Sequence, residues 1–239
     1  MNNLIRMVYE AGWSRELYDI LFIMGFLAVM VTFLMTGKKM QIPAIKTAGF
    51  VVLLSSIMVV LMYVLKWAET GFTRWGGNNF VRIYVYLAAC AVPTAYGMKI
   101  DRAKLLSMLA FGAPLAFGVG HYGCIFTGCC CGRVVEYGIY NPMYQNLRFP
   151  IQIIEATEAL IISRCIYCRI KKRNYVPDGK EYPLMLVAYG TSRFLFEFFR
   201  VNAKILWGLS TLSFHSLFMV LVGLIWLAII GKKANKSHK

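Results

Sequence analysis

Acidic residues are scarce in this chain: 11 Asp and Glu stand against 26 Lys and Arg, for a formal net charge of +15. Charge of either sign is thin, at 15% of residues, while 59% are hydrophobic and the mean hydropathy is +0.58. That composition excludes a soluble domain, and 239 residues are too many for a single anchor. Internal repeats and low-complexity segments are missing, as is any linker long enough to separate domains. One integral membrane domain over residues 1–239 is therefore expected. A cleavable leader is not expected either, because the first 16 residues are polar and no A-x-A site follows the first apolar run. The basic residues sit in short clusters between apolar runs. That placement suits membrane topology and anionic headgroups, and no nucleic-acid partner is expected.

Apolar runs long enough to cross a bilayer are present in number. They predict seven transmembrane helices near 17–36, 44–65, 80–97, 105–127, 150–168, 182–199 and 206–230, an all-α polytopic architecture. One set of loops carries Lys38, Lys39, Lys46, Lys99, Arg102 and Lys104, then Arg164, Arg169, Lys171, Lys172, Arg173 and Lys180. The tail adds Lys232, Lys233, Lys236 and Lys239, which makes 16. The alternate set has 9: Arg6, Arg15, Lys66, Arg74, Arg82, Arg133, Arg148, Arg200 and Lys204. The excess predicts an outside N-terminus and a cytoplasmic C-terminus. The polar loop of about 128–149 and the segment Trp75–Phe80 then face outward. The basic loop of about 169–181, with its Pro177-Asp178-Gly179 turn, faces the cytoplasm.

The stretch Phe117–Arg133, FGVGHYGCIFTGCCCGR, breaks the fourth run with glycines, a histidine and four cysteines. Irregular backbone at membrane depth is tolerated only inside protein or along a polar cavity. Cys124, Cys129, Cys130 and Cys131 leave three readings open: buried structural thiols, a disulfide outside the cytosol, or a reactive or metal-binding cluster with His121. No complete four-ligand spacing is present, so no metal and no cofactor is assigned. Cys165 and Cys168 read as small apolar residues at the inner end of the fifth run. His215 is expected to hydrogen-bond between helices.

Ionisable residues lie where lipid-facing chemistry forbids them: Asp19, then Glu155 and Glu158 after Gln152, then Arg193, Glu197 and Arg200. A charge near midplane costs at least about 2.5–3.5 kcal/mol, so these side chains are expected to face the bundle interior and find partners. Arg193, Glu197 and Arg200 are expected to form one stripe of a helix. They read either as an internal ion-pair network or as the lining of a cavity for a charged substrate, with arginine as a two-pronged phosphate ligand.

These motifs resemble the prolipoprotein diacylglyceryl transferase family. Gly120, Gly123, Gly128, Gly132 and Arg133 of GHYGCIFTGCCCGR match the pattern G-R-x-G-N-x-x-N-G-x-x-x-G-R. FPIQIIEA (149–156) is similar to H-P-S-Q-L-Y-E-A, and YGTSRFLFEFFR (189–200) to Y-G-x-x-R-F-x-x-E-F-x-R. Gly208-Leu209-Ser210 is similar to the G-L-S that opens the family's last span, and Tyr18 falls where the family has a first-span tyrosine. The chain departs from the pattern with His121 for the loop arginine, Cys124 for an asparagine, Cys129 for an acidic residue and Phe149 for a histidine. Phe80-Val81-Arg82-Ile83-Tyr84 replaces an expected His-Gly-Gly.

The resemblance implies a phospholipid-dependent enzyme of a bacterial-type cytoplasmic membrane, multi-pass. It would move a diacylglyceryl group from phosphatidylglycerol, or another anionic phospholipid, to the thiol of a lipobox-bearing prolipoprotein or a related acceptor. It further implies catalytic roles for His121, Arg193 and Glu197. Substrate-binding roles would fall to Tyr18, Gly123, Gly132, Arg133, Gln152, Glu155 and Arg200. The alternative is a non-catalytic or transport protein on the same scaffold, using the thiol cluster for redox or metal handling.

Overall fold

The structure is a computed structural model that describes residues 1–69, 80–201 and 204–237. Trp75–Asn79 of the WGGNNF segment lie outside the described residues. Among the described residues, long helices fall on or near the expected stretches: α2 (Ser14–Lys39), α3 (Ala44–Glu69), α4 (Phe80–Gly97), α5 (Arg102–His121), α7 (Ile151–Lys172), α8 (Glu181–Phe196) and α9 (Thr211–Ser237). Two short helices join them, α1 (Asn2–Glu10) and α6 (Gly123–Thr127). Among the described residues, four segments rather than the expected seven are both long and apolar enough to cross a membrane: Ser14–Lys39, Ala44–Leu61, Arg102–Thr127 and Thr211–Lys232. Ile23, Leu27, Val31, Leu221, Leu224 and Ile225 point outward from α2 and α9, as lipid-facing positions do.

α5 is the central element. Its membrane-length window is 56% buried, against 17–28% for the other three. It packs chiefly on α7 and α2, while α8 and α9 form a third extensive pair. Asp101 caps its start by accepting from the amides of Ala103 (2.8 Å) and Lys104 (3.1 Å). Close approach depends on small residues: a Cβ at Gly118 would stand 2.9 Å from the Ala156 carbonyl oxygen of α7. Ser163 of α7 donates to the Phe111 carbonyl at 2.8 Å across the same contact. Phe33, Phe111, Met108, Tyr182 and Tyr189 are among the buried side chains at the centre of the bundle.

The loop of 128–149 is a hairpin, an element absent from a purely α-helical reading. β1 (Val134–Asn141) and β2 (Asn146–Arg148) pair antiparallel, with Asn141 opposite Asn146. The Asn141 side chain accepts from the Tyr144 amide at 3.0 Å, stabilising the turn. It also donates to the Gly128 carbonyl at 2.8 Å, tying the hairpin to the end of α6. α1 docks on this hairpin: Asn2 accepts from the Tyr140 amide at 3.0 Å, and Arg6 lies 4.4 Å over the Tyr140 ring. A second small hairpin, β3 (Lys204–Leu206) and β4 (Leu209–Ser210), precedes α9.

α8 ends earlier than its sequence pattern suggests. Glu197–Phe199 is a 3₁₀ turn and Arg200 is extended, at φ −98° and ψ 160°. Arg193, Glu197 and Arg200 are therefore not one helical stripe. Arg200 instead pairs through its backbone with Gly132, while the Arg133 amide donates to the Phe199 carbonyl at 2.9 Å. Two other expectations fail. Asp19 faces outward from α2 rather than into the bundle. His215 bonds within its own helix, Nδ1 to the Thr211 carbonyl at 2.6 Å, because the i−4 carbonyl is the nearer partner.

Candidate functional site

Four charged side chains from α7, α8 and the turn after α8 close on one another below the hairpin. Glu155 is their hub. Its Oε1 accepts from Arg193 Nη1 at 2.7 Å, and its Oε2 lies 2.9 Å from His121 Nε2 and 3.6 Å from Arg200 Nη2. Arg193 bridges to a second carboxylate, with Nη2 3.2 Å from Glu197 Oε2. Ser210 closes the chain by donating to Glu197 Oε1 at 2.5 Å. The side chains of Arg193, Glu155, Glu197 and His121 are each at most 4% exposed.

Charge balance explains why such a cluster survives burial. Two arginines face two glutamates, and each charge has a nearby counterpart of opposite sign. The cluster itself holds no surplus of positive charge, because the other two arginines nearby stay out of it. Arg133 is exposed, with its guanidinium 5.4 Å over the Phe199 ring, and Arg148 donates to the Gly132 carbonyl at 3.1 Å. Glu158, one turn from Glu155, accepts from Ser192 at 2.6 Å.

His121 is the joint between this network and the thiols. An ionised Glu155 can only accept, so it holds the proton on Nε2 and leaves Nδ1 as an acceptor. Cys124 Sγ lies 3.5 Å from Nδ1, one helical turn along the chain. The Cys130 sulfur lies within 4.8 Å of the Cys124 sulfur, and the Cys129 sulfur accepts from Thr127 Oγ1 at 3.2 Å. All seven cysteines are free thiols, and Cys165 and Cys168 lie on α7, far along it from Glu155. The neighbouring thiols of Cys124 and Cys129, with the charge of Arg200 nearby, hold the Cys130 thiol well below the usual thiol range.

The loop that presents these thiols is pinned from outside itself. Gly128 takes the left-handed conformation (φ 73°) that ends α6. Gln152 donates to the Cys129 carbonyl at 2.9 Å, and Arg200 Nη2 donates to the Cys130 carbonyl at 2.8 Å. Gly132 must lack a side chain, because a Cβ there would meet the Phe149 carbonyl oxygen at 2.5 Å. Phe149 stacks on Phe199 at 4.9 Å, closing the strand-like crossing of 132–133 with 199–200.

A cavity of about 410 Å³ opens beside the cluster between α2, α3, α4 and α5. Its walls are apolar, with Phe22, Phe26 and Phe33 on one side and Leu54 and Val59 on another. Tyr18, His121 and Cys124 supply polar groups to this lining. Tyr18 reaches this position because Gly123 has no side chain: a Cβ there would lie 2.9 Å from the Tyr18 Cα.

The structure thus gathers His121, Glu155, Arg193, Glu197 and Arg200 into one network, puts Gln152 beside it and Tyr18 in the cavity wall, and leaves Arg133 at the surface. Sequence reasoning did not identify Arg148, which holds the loop through Gly132, or Asn141, which anchors Gly128. Their only signal was polarity flanking the glycine-rich stretch.

The family described as prolipoprotein diacylglyceryl transferase matches residues 7–229 of the chain. Among curated relatives, the phosphatidylglycerol–prolipoprotein diacylglyceryl transferase of Clostridium tetani is 29% identical over 163 residues, 62% of this chain and 63% of that protein. The one of Chlorobaculum tepidum is 35% identical over 106 residues, 43% of this chain and 36% of that protein. The one of Geobacter sulfurreducens is 31% identical over 144 residues, covering 59% and 55%. Each of these matches spans less than two thirds of the relative's own length. With nearly the whole sequence matched, the conclusion is one of kinship: the chain belongs to the prolipoprotein diacylglyceryl transferase family.

Proposed function

We propose that the protein is a phospholipid-dependent transferase. It would move the diacylglyceryl group of phosphatidylglycerol to the cysteine thiol of a lipobox-bearing prolipoprotein, or of a related thiol acceptor. The observation that carries this reading is the position of His121, which both lines the apolar cavity and touches Glu155 of the arginine network. An apolar cavity suits acyl chains, and fixed cations suit the phosphate that leaves. In this reading the chain acts as one domain over residues 1–239. It spans a bacterial-type cytoplasmic membrane seven times, with the N-terminus outside.

The reaction needs a thiolate, a polarised leaving group and no redox partner. The acceptor sulfur forms a bond to the glycerol carbon as the C–O bond to phosphate breaks, and the electron pair leaves on glycerol phosphate. Arg193, held between Glu155 and Glu197, and Arg200 would supply positive charge to that phosphate. His121 would take the thiol proton at Nδ1, with Glu155 stabilising the imidazolium that forms. Tyr18, Gly123, Gly132, Arg133 and Gln152 would shape the surroundings of the headgroup and the loop.

The test is direct. The purified chain is incubated with phosphatidylglycerol vesicles and a lipobox peptide, and both lipids and peptide are followed by mass spectrometry. A thioether-linked diacylglyceryl peptide with equimolar glycerol phosphate is the expected result. Absence of both, from folded protein, would remove the reading.

A further inference from the structure

Four cysteines lie within the eight residues 124–131, at α6 and the loop after it, and the reaction proposed above does not use them. We propose that His121, Cys124 and Cys130 form a binding site for a thiophilic divalent ion, Zn²⁺ by preference, with one coordination position left for an incoming thiol. The ligating atoms of these three residues all lie within 4.8 Å of one another. Zinc–sulfur bonds of about 2.3 Å and zinc–nitrogen bonds of about 2.0–2.1 Å at a tetrahedral angle set an N···S edge of about 3.6 Å. The observed Nδ1···Sγ distance between His121 and Cys124 is 3.5 Å. That edge of the tetrahedron already stands.

Three further features fit an ion rather than a packed thiol cluster. Glu155 sits on Nε2, the nitrogen a metal-bound imidazole turns away, which is the carboxylate–histidine–metal arrangement that fixes the tautomer and the ring. Cys130 has a backbone φ of +55°, a conformation uncommon for residues other than glycine and asparagine. It is held there by Arg200 on its own carbonyl and by Gln152 on the carbonyl before it. The strain directs the chain so that Cys130 Sγ joins the other two ligands. Finally, two thiolates and a neutral imidazole balance Zn²⁺, so the loaded site adds no net charge to the buried arginine–glutamate network.

The ion's role rests on the transferase reading. Three protein ligands with an open position are the pattern of catalytic rather than structural zinc. An acceptor thiol that displaces metal-bound hydroxide releases water and is left as a coordinated thiolate. That sulfur then attacks the glycerol carbon as described. With the ion bound, Nδ1 is a ligand, and coordination replaces the imidazole as the means of removing the thiol proton.

The experiment uses the full chain in detergent, reduced, with Zn²⁺ content and the absorption of the Co²⁺-loaded protein as readouts. Expected are about one ion per chain and a sulfur-to-cobalt charge-transfer band. Both should be retained in Cys131→Ser and in the Cys165→Ser/Cys168→Ser double variant. Both should be lost in Cys124→Ser and in Cys130→Ser, the second being a surface change that leaves folding intact. Glu155→Gln should weaken affinity by about 10–100-fold. Folded, reduced protein with no thiolate–cobalt band overturns the site, as does equal loss in Cys131→Ser and Cys130→Ser. The thioether assay on the same samples separates the two ideas. Bound metal without product upholds the site and removes the transferase reading. Full product formation after chelation to zero metal overturns the ion's role and keeps the transferase.

Discussion

Glu155 of α7 and Arg193 of α8 meet through a 2.7 Å contact between Oε1 and Nη1, with each side chain only 3% exposed. The pair joins the two helices in the bundle interior, and it places the other oxygen of Glu155 on His121. Glu155→Gln keeps the shape but leaves Arg193 and Arg200 short of one negative charge. Breaking a buried pair from one side costs about 3–5 kcal/mol, so reduced thermal stability is expected together with transferase activity lower by on the order of 10²-fold. Thermal unfolding in detergent and the thioether assay check the two effects separately. Unchanged values of both would show that Glu155 is not the hub.

Arg193→Lys tests geometry at constant charge. Arg193 uses Nη1 for Glu155 and Nη2 for Glu197, a fork that a single ammonium group cannot reproduce. The variant should insert normally and lose activity by on the order of 10²-fold if the fixed cation stabilises the leaving phosphate. A fully active Arg193→Lys protein would sink the assignment.

Cys130 gives a pH dependence. Its thiol is held well below the usual range, so in metal-free protein the thiolate persists as pH falls below the about 8.5 of an ordinary thiol. Alkylation of Cys130 by iodoacetamide should therefore remain fast near pH 7, where a model thiol is mostly protonated. Mass-spectrometric mapping of the modified peptide over pH 6–9 reads the midpoint. A Cys130 profile that overlays a model thiol contradicts the local electrostatics. Removing the nearby charge by Arg200→Gln should shift the midpoint upward.

Orientation is open to a reporter test. A fusion after Lys239 should report cytoplasm and an insertion near Asn141 the opposite side, as the distribution of basic residues predicts. Inverted signals would place the thiol loop inside the cell and reverse the site's access.

Much of the fold was legible in the sequence, because hydropathy acts on every residue of a span and its errors average out. α2, α3, α4, α7 and α8 fall within about four residues of the apolar runs, whereas α5 stops short of its run at His121 and α9 begins and ends later than its own. α1 and the 134–148 hairpin were not legible. Their register comes from Asn2, Asn141 and Arg148 bonding to backbone far along the chain, which no local period encodes.

At the site, composition and spacing were enough to say which residues must be paired. Glu155, Arg193 and Glu197 sit in apolar runs, and an unpaired charge there is too costly to leave facing lipid. The identity of each partner came from the folded arrangement alone. Folding put His121 between Glu155 and Cys124, turned Arg200 off the helix and onto the Cys130 carbonyl, and left Arg133 at the surface. Those partnerships depend on how closely α5 and α7 approach at Gly118 and on where α8 stops. Both are settled by packing between segments distant in sequence, which no local pattern carries.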